Sequence, residues 1–246
     1  MTDAVGSSMK IASGRGKVSY EAHFQRPHFD IGANSAGTFD AIYASFSAVF
    51  PSLTLGDLST VNGPPLAAAN FAVNVLDGAA TARIWLDHYS IDWNILRAPT
   101  TEDITTTLSI VACIEDAISR VAPDVVLRNA NVQVAQWYLV SGDVAAWLQQ
   151  HATLGGDELT KALGAERAEY SANVRVRNDS ELWLANFAVE PSRVAPWQLF
   201  ISYAGTYVHA GRYKSALAQS EHVNSLFAAL FAKWGFETVE IAGSAP

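Results

Sequence analysis

The sequence predicts an α+β protein built of two tandem lobes, each an antiparallel β-sheet flanked by a long helix. Several segments alternate apolar and polar residues between turn signals, which is typical of half-buried strands. Two longer segments repeat apolar residues at three- and four-residue steps, which predicts amphipathic helices. The order strand, helix, hairpin, long helix occurs twice along the chain. We expect a flexible N-terminus over residues 1–14, lobes over 15–121 and 122–241, and a tail over 242–246.

The first lobe opens with a strand. Alternate residues of Lys17–Gln25 are apolar, and Ser35 is a suitable N-cap for a helix that ends before Pro51. Asp77-Gly78 lies between alternating segments and predicts a tight β-hairpin. Beyond His88 the apolar phase of the return strand changes, which indicates a bulge or a bend there. A long helix follows Pro99 and stops before Pro123, with Thr100 as its expected N-cap.

The second lobe follows with no linker. A long β-prone segment covers Val125–Val140, and short helices are expected after Ser141 and around Asp157–Leu163. Asn178-Asp179 predicts a second hairpin. Its return strand is formed either by Leu182 and Leu184 or by Trp183, Ala185, Phe187 and Val189. A strand over Trp197–Tyr207 and a helix that Ser215 opens and Gly235 caps complete the lobe. The repeated order is either an internal duplication or a chance order of elements in an α+β chain.

Composition excludes several classes of protein. Of the 246 residues, 50% are hydrophobic and 16% are charged, which excludes intrinsic disorder. The single cysteine, Cys113, excludes a disulfide scaffold and lies among apolar neighbours, so we expect it to be buried and inert. The net charge of −8 disfavours nucleic acid as a partner. No signal peptide and no membrane span is expected, so the predicted location is the cytoplasm.

The sequence contains no phosphate-binding glycine loop, nucleophile elbow or zinc-ligand spacing, and we expect no metal and no cofactor. The remaining candidates for chemistry are histidines beside carboxylates, which could act as a base and its orienting group. Alternatively, they are ordinary surface or boundary residues. The three candidate pairs are Glu21/His23, His28/Asp30 and Asp87/His88.

Aromatic side chains provide a second line of inference. Trp85 and Trp93 share one phase of the return strand, and Trp137 and Trp183 oppose Tyr138 and Leu182. This phase predicts aromatic residues on a second sheet face, where a helix, the other lobe, a second subunit or a ligand would cover them. Arg83 could frame an anionic ligand, although arginines on sheets are more often solvated. The candidate binding residues are Trp85, Trp93, Trp137, Trp183, Arg83 and His88.

A meander of antiparallel strands beside a long helix resembles the SecB family of export chaperones. The residues that carry this resemblance are Lys17–Gln25, Asn70–Asn94 around Asp77-Gly78, and Glu102–Arg120. The resemblance implies an acidic cytoplasmic bacterial protein that assembles into oligomers and holds unfolded chains on apolar grooves. It implies no particular functional residue. The chain is longer than one SecB subunit, which fits a duplicated form, and it equally resembles uncharacterised bacterial proteins of this size.

The sequence therefore favours a non-catalytic binding or assembly protein. An aromatic-rich sheet face would bind a protein or peptide partner, with SecB-like holding as one form of this activity, and the chain would form homo-oligomers. One alternative is a small-molecule-binding protein or enzyme with an apolar pocket between sheet and helix, whose polar groups would be Glu21, His23, His88 and Arg83. Another is an immunity-type or mobile-element partner protein.

Overall fold

The computed structural model describes residues 9–61, 69–97, 101–151, 171–193 and 198–239. Within these ranges ten strands form one mixed sheet that is almost wholly antiparallel, and five α-helices accompany it. The strands are β1 (Met9–Phe24), β2 (Leu58–Val61), β3 (Asn70–Val75), β4 (Ala80–Ile84), β5 (His88–Ile95), β6 (Leu127–Ser141), β7 (Ala172–Asn178), β8 (Trp183–Pro191), β9 (Gln198–Val208) and β10 (Phe236–Thr238). The helices are α1 (Asp30–Ala33), α2 (Ser35–Ser47), α3 (Thr101–Val121), α4 (Val144–His151) and α5 (Ala216–Trp234).

The strand order across the sheet is β2-β3-β4-β5-β1-β6-β9-β8-β7, and β10 pairs in parallel with the first residues of β1. The two longest strands, β1 and β6, are neighbours at the centre. Their pairing joins residues of both predicted lobes into a single continuous sheet. The register of β1 against β6 shifts between Ser13 and Gly16, so Gly14 and Arg15 form an irregularity that bends the strand locally.

One face of the sheet, here called the covered face, packs against all five helices. Its apolar side chains alternate along each strand, as Tyr20, Ala22 and Phe24 do on β1. The helices contribute apolar stripes to the same core, such as Ile110 and Ile114 of α3 and Leu148 of α4. Burial of each large aliphatic side chain contributes about 1.5–3 kcal/mol, so this layer provides the main stabilisation of the fold.

The opposite face, here called the open face, carries the alternate residues of the same strands. They are mainly small or polar, and most are half-buried or exposed. In the part of the chain that the structure describes, no helix packs against this face. Its central positions are Lys17, Ser19, Glu21 and His23 on β1, Asn131, Gln133, Ala135 and Trp137 on β6, Ser90 and Asp92 on β5, and Ser202, Ala204 and Thr206 on β9.

Local turn and capping chemistry explains several element boundaries. The predicted Asp77-Gly78 hairpin is confirmed, since Leu76, Asp77 and Gly78 have φ of 56°, 54° and 82° between β3 and β4. The predicted caps of α5 are also confirmed. Ser215 Oγ accepts a hydrogen bond from the Ala218 amide at 3.2 Å, and Gly235 is left-handed with φ 68°.

Several predicted boundaries differ from the structure or lie outside the described residues. Asn34, not Ser35, caps α2, because its Oδ1 accepts the Gly37 amide at 3.0 Å and Ser35 is already the first helical residue. The predicted flexible N-terminus is wrong for residues 9–14, which belong to β1, with Met9 and Ile11 buried. Residues 1–8, the predicted N-cap Thr100, the predicted helix around 157–163 and the tail at 242–246 lie outside the described residues.

Candidate functional site on the open face

A stack of three rings occupies one end of the open face. The Trp85 and His88 rings lie 4.2 Å apart with an interplanar angle of 11°, and the His88 and His23 rings lie 5.4 Å apart at 26°. His23 and His88 are direct partners across β1 and β5, which places both rings on the same face. We call these three residues the Trp85 cluster.

Carboxylates flank both histidines of the Trp85 cluster. Glu21 Oε1 lies 2.8 Å from His23 Nε2, and Asp87 Oδ1 lies 2.7 Å from His88 Nδ1. Two predicted histidine–carboxylate pairs, Glu21/His23 and Asp87/His88, are therefore in contact. Each carboxylate fixes the orientation of its ring, so the stack presents a preformed aromatic surface and not three independently rotating side chains.

The third predicted pair, His28/Asp30, does not form. The His28 side chain is buried beside Phe24, and its Nδ1 lies 3.4 Å from Asp124 Oδ1. The physical reason is that the His28 ring is buried in the core at the end of β1, whereas Asp30, the first residue of α1, is exposed. His28 consequently contributes to packing at the end of β1 and not to the Trp85 cluster.

Arg83 lies on the open face of β4 in a network of charged side chains. Its Nη1 lies 3.4 Å from Asp92 Oδ2, while Lys17 Nζ and Ser19 Oγ lie 3.3 Å and 2.6 Å from Asp92 Oδ1. Partial burial would raise the pKa of Asp92, but hydrogen bonds from Ser19 and Lys17 and the charges of Lys17 and Arg83 lower it below its ordinary value. Arg83 is thus engaged by a carboxylate of its own chain.

A second aromatic cluster lies beside the irregularity near the middle of β1. The Arg15 guanidinium is 4.8 Å from the centre of the Trp137 ring, and the Phe200 ring is 4.9 Å from that ring. Trp137 and Phe200 are direct partners across β6 and β9. Gly14 allows this geometry, since a Cβ at that position would lie 2.9 Å from the Trp137 carbonyl oxygen. We call these residues, Arg15, Trp137 and Phe200, the Trp137 cluster.

Two residues of the Trp137 cluster were not predicted from the sequence. They are Arg15 and Phe200. The signals that identify them are the glycines around Arg15, which indicate a bulge, and the phase of Phe200 opposite to Leu199 and Ile201. Neither signal reveals the pairing of β6 with β9, which brings Phe200 to Trp137.

The placement of Trp93 and Trp183 on a second face is wrong. Trp93 is buried on the covered face, because the chain turns at Trp85–Asp87 and β5 pairs antiparallel with β4, which sets Trp93 opposite Ala80. The change of apolar phase near His88 marks this turn. Trp183 is opposite Tyr207 on the covered face, where its ring packs 4.6 Å from His222 of α5. Of the four predicted tryptophans, Trp85 and Trp137 lie on the open face.

An apolar cleft lies on the opposite side of the sheet. A cavity of about 100 Å³ lies between α3, α5 and the central strands and opens to solvent, with Val18 and Val134 in its floor. The sequence predicts Glu21, His23, His88 and Arg83 as the polar groups of such a pocket, and this prediction is wrong because all four side chains lie on the open face. The cleft therefore contains none of the groups predicted to act as acid or base.

Other sites are restricted in their chemistry. The buried Cys113 thiol has its pKa raised to about 11 by burial and by the nearby Asp116 charge, which keeps it protonated and weakly nucleophilic at neutral pH. Among the described residues no group of three or more histidine, cysteine, aspartate or glutamate side chains could hold a metal ion. None of the helices in those ranges is both long enough and apolar enough to span a membrane.

Comparison with known proteins adds little to this description. No protein-family model matches the chain, and no curated protein matches it. A solved structure, the TBP of Methanococcus jannaschii, is similar with 10% sequence identity over 92% of this chain and 99% of that chain, at a TM-score of 0.25. A similarity of this size defines neither a family nor a function.

Proposed function

We propose that this chain is a non-catalytic binding or assembly protein whose open face binds an extended protein or peptide partner. The observation that carries the proposal is the pair of aromatic clusters on a face that no described element covers. Tryptophan and arginine are the residues that most often dominate binding energy at interfaces. Here Trp85 and Trp137 are half-buried and held in place by neighbouring rings, so they would lose little side-chain entropy on binding.

The spacing of the two clusters fits an extended partner. His23 and Arg15 are eight residues apart on β1, which corresponds to about 25 Å along a strand. A partner segment of roughly eight extended residues would therefore contact both clusters. Between them lie the uncharged side chains Ser19, Gln133 and Ala204 and the ion pair of Lys17 with Asp92, so a partner would meet a polar surface between the two aromatic clusters.

The proposal includes an internal duplication of the two lobes. Each half has a central strand, β1 or β6, followed by one or two helices, a meander that returns to that strand, and a long helix, α3 or α5. This common order supports the duplication. It would also explain why both halves contribute an aromatic cluster to one face.

A binding titration tests the proposed function. The probe is a fluorescently labelled, permanently unfolded polypeptide, such as a reduced and carboxymethylated protein, and the readout is its fluorescence anisotropy. We expect saturable binding to the wild type and at least tenfold weaker binding to Trp85→Ala/Trp137→Ala. Tyr43→Ala is the matched control, since it removes an exposed aromatic ring from α2 on the other side of the molecule and should leave affinity unchanged.

Wild-type protein that does not bind the probe, or equal loss in the double variant and in Tyr43→Ala, would contradict the proposal. Saturable binding would also support a SecB-like holding activity. Size-exclusion chromatography with light scattering at micromolar concentration tests the proposed homo-oligomer separately. We expect a mass above the 26.4 kDa of one chain. A monomer would remove assembly from the proposal.

A further inference from the structure

We infer that the apolar cleft between α3 and α5 binds the aliphatic chain of a small amphipathic molecule, with the polar head at its rim. The floor of the cleft is the centre of the covered face, where β1 and β6 meet. Its walls include Leu108 of α3 and Val223 of α5. This site is separate from the open face, and the inference does not rest on the proposed function.

The floor residues show that the core is incomplete at this point. Val18 and Val134 lie on the covered face but stay partly exposed, whereas Ala22 and Tyr20 farther along β1 are buried. The difference arises because α3 and α5 leave a gap above the two valines. Removing apolar surface from contact with water is favourable, so an apolar occupant of the gap would be stabilised.

The size of the cavity selects a chain over a ring. Its volume is about 100 Å³, smaller than an engineered apolar cavity of about 150 Å³ that binds benzene. The deep part therefore accommodates a few carbons of an unbranched chain. Because the cleft opens to solvent, the remainder of a longer molecule can extend outward.

The rim favours a neutral head group that forms hydrogen bonds. Asp103 is held by two hydrogen bonds from Arg97, at 2.6 Å and 2.7 Å. Ser220 Oγ already donates to the Leu217 carbonyl at 2.9 Å. Asn224 of α5 also lines the cleft, and its exposed amide has no partner among the described residues. A hydroxyl head at the rim could exchange hydrogen bonds with this amide.

Primary alcohols from ethanol to 1-octanol are suitable probes, with calorimetric titration and amide chemical shifts as readouts. We expect saturable binding whose affinity rises about fourfold with each added methylene and then levels off once the cleft is full. Absence of saturable binding across the series would overturn the inference. So would an affinity that does not depend on chain length.

Two adjacent residues of β6 supply a matched pair of variants. Val134→Phe places a ring in the cleft and should abolish alcohol binding, whereas Ala135→Phe places the same ring on the open face and should leave it intact. Circular dichroism checks that both variants fold. If Val134→Phe does not fold, Ala216→Phe, at the wall of the cleft on α5, takes its place. Alcohol binding that survives the filling variant would overturn the site.

The same two variants separate this inference from the proposed function. Val134→Phe should still bind the unfolded polypeptide, because its ring points away from the open face. Ala135→Phe should weaken that binding. Failure of one site therefore leaves the test of the other intact.

Discussion

His222 of α5 is a titratable residue enclosed by aromatic rings. Tyr213 stacks on it at 4.1 Å, Trp183 packs at 4.6 Å, and its Nδ1 lies 3.1 Å from the Tyr207 hydroxyl. Burial lowers the pKa of His222 below its ordinary value; the Glu181 charge raises it and the Arg212 charge lowers it further. The folded state therefore holds this histidine neutral at pH values where the unfolded chain is already protonated.

This arrangement gives a pH dependence with a definite sign. An unfolded histidine titrates near pH 6.5, so below that pH the unfolded state binds a proton that the folded state does not bind. Stability should fall as the pH drops from about 7.5 to 5.5. Urea denaturation at several pH values measures this, and His222→Asn, which keeps an acceptor for Tyr207 but does not titrate, should have a shallower slope. Identical slopes in both proteins would contradict the account of His222.

At the scale of elements, the last helix depends on its N-cap. Ser215→Ala removes the acceptor of the Ala218 amide and should lower the free energy of unfolding by about 1 kcal/mol. Ser119→Ala is the control, because that hydroxyl lies near the end of α3 and its one partner among the described residues is the Asp116 carbonyl. Chemical denaturation should show a change below about 0.5 kcal/mol for the control. Equal effects of the two substitutions would remove the capping role.

The sequence predicts most elements, because their signals are local. The alternation over Lys17–Gln25 and the left-handed turn at Asp77-Gly78 depend on neighbouring residues alone, and both predictions are confirmed. The predicted face of Trp93 is wrong because the change of apolar phase near His88 marks a turn between two strands, β4 and β5, and not a bulge within one strand. Phase along one strand cannot show that β9 lies beside β6, so the contact of Trp137 with Phe200 could not be predicted.

The candidate site was predicted in part. Trp85, His88 and the pair Glu21/His23 are close together because the hairpin order places β4, β5 and β1 side by side. The apolar cleft was expected only in general terms, between sheet and helix. The polar groups predicted for it lie on the other face of the sheet. Which face the helices cover depends on the packing of the whole chain, which local patterns do not show.

At the scale of the whole molecule, one sheet connects all described strands. The long pairing of β1 with β6 lies at its centre and joins one strand from each predicted lobe. Unfolding of either lobe would therefore expose the core of the other. We therefore predict a single cooperative unfolding transition. Calorimetry should give equal calorimetric and van't Hoff enthalpies, with coincident transitions by far-ultraviolet circular dichroism and tryptophan fluorescence. Two resolved transitions would show that the lobes fold independently.

The proposal that involves the whole molecule is that one face of the sheet forms the core and the other face binds a partner. Hydroxyl-radical footprinting with mass spectrometry, with and without the unfolded polypeptide, tests it most directly. We predict that the partner protects Trp85, Trp137 and Phe200 from oxidation, while Tyr43 on α2 stays equally reactive. Unchanged oxidation of the three open-face rings, or protection of Tyr43 instead, would contradict the assignment of the open face as the binding surface.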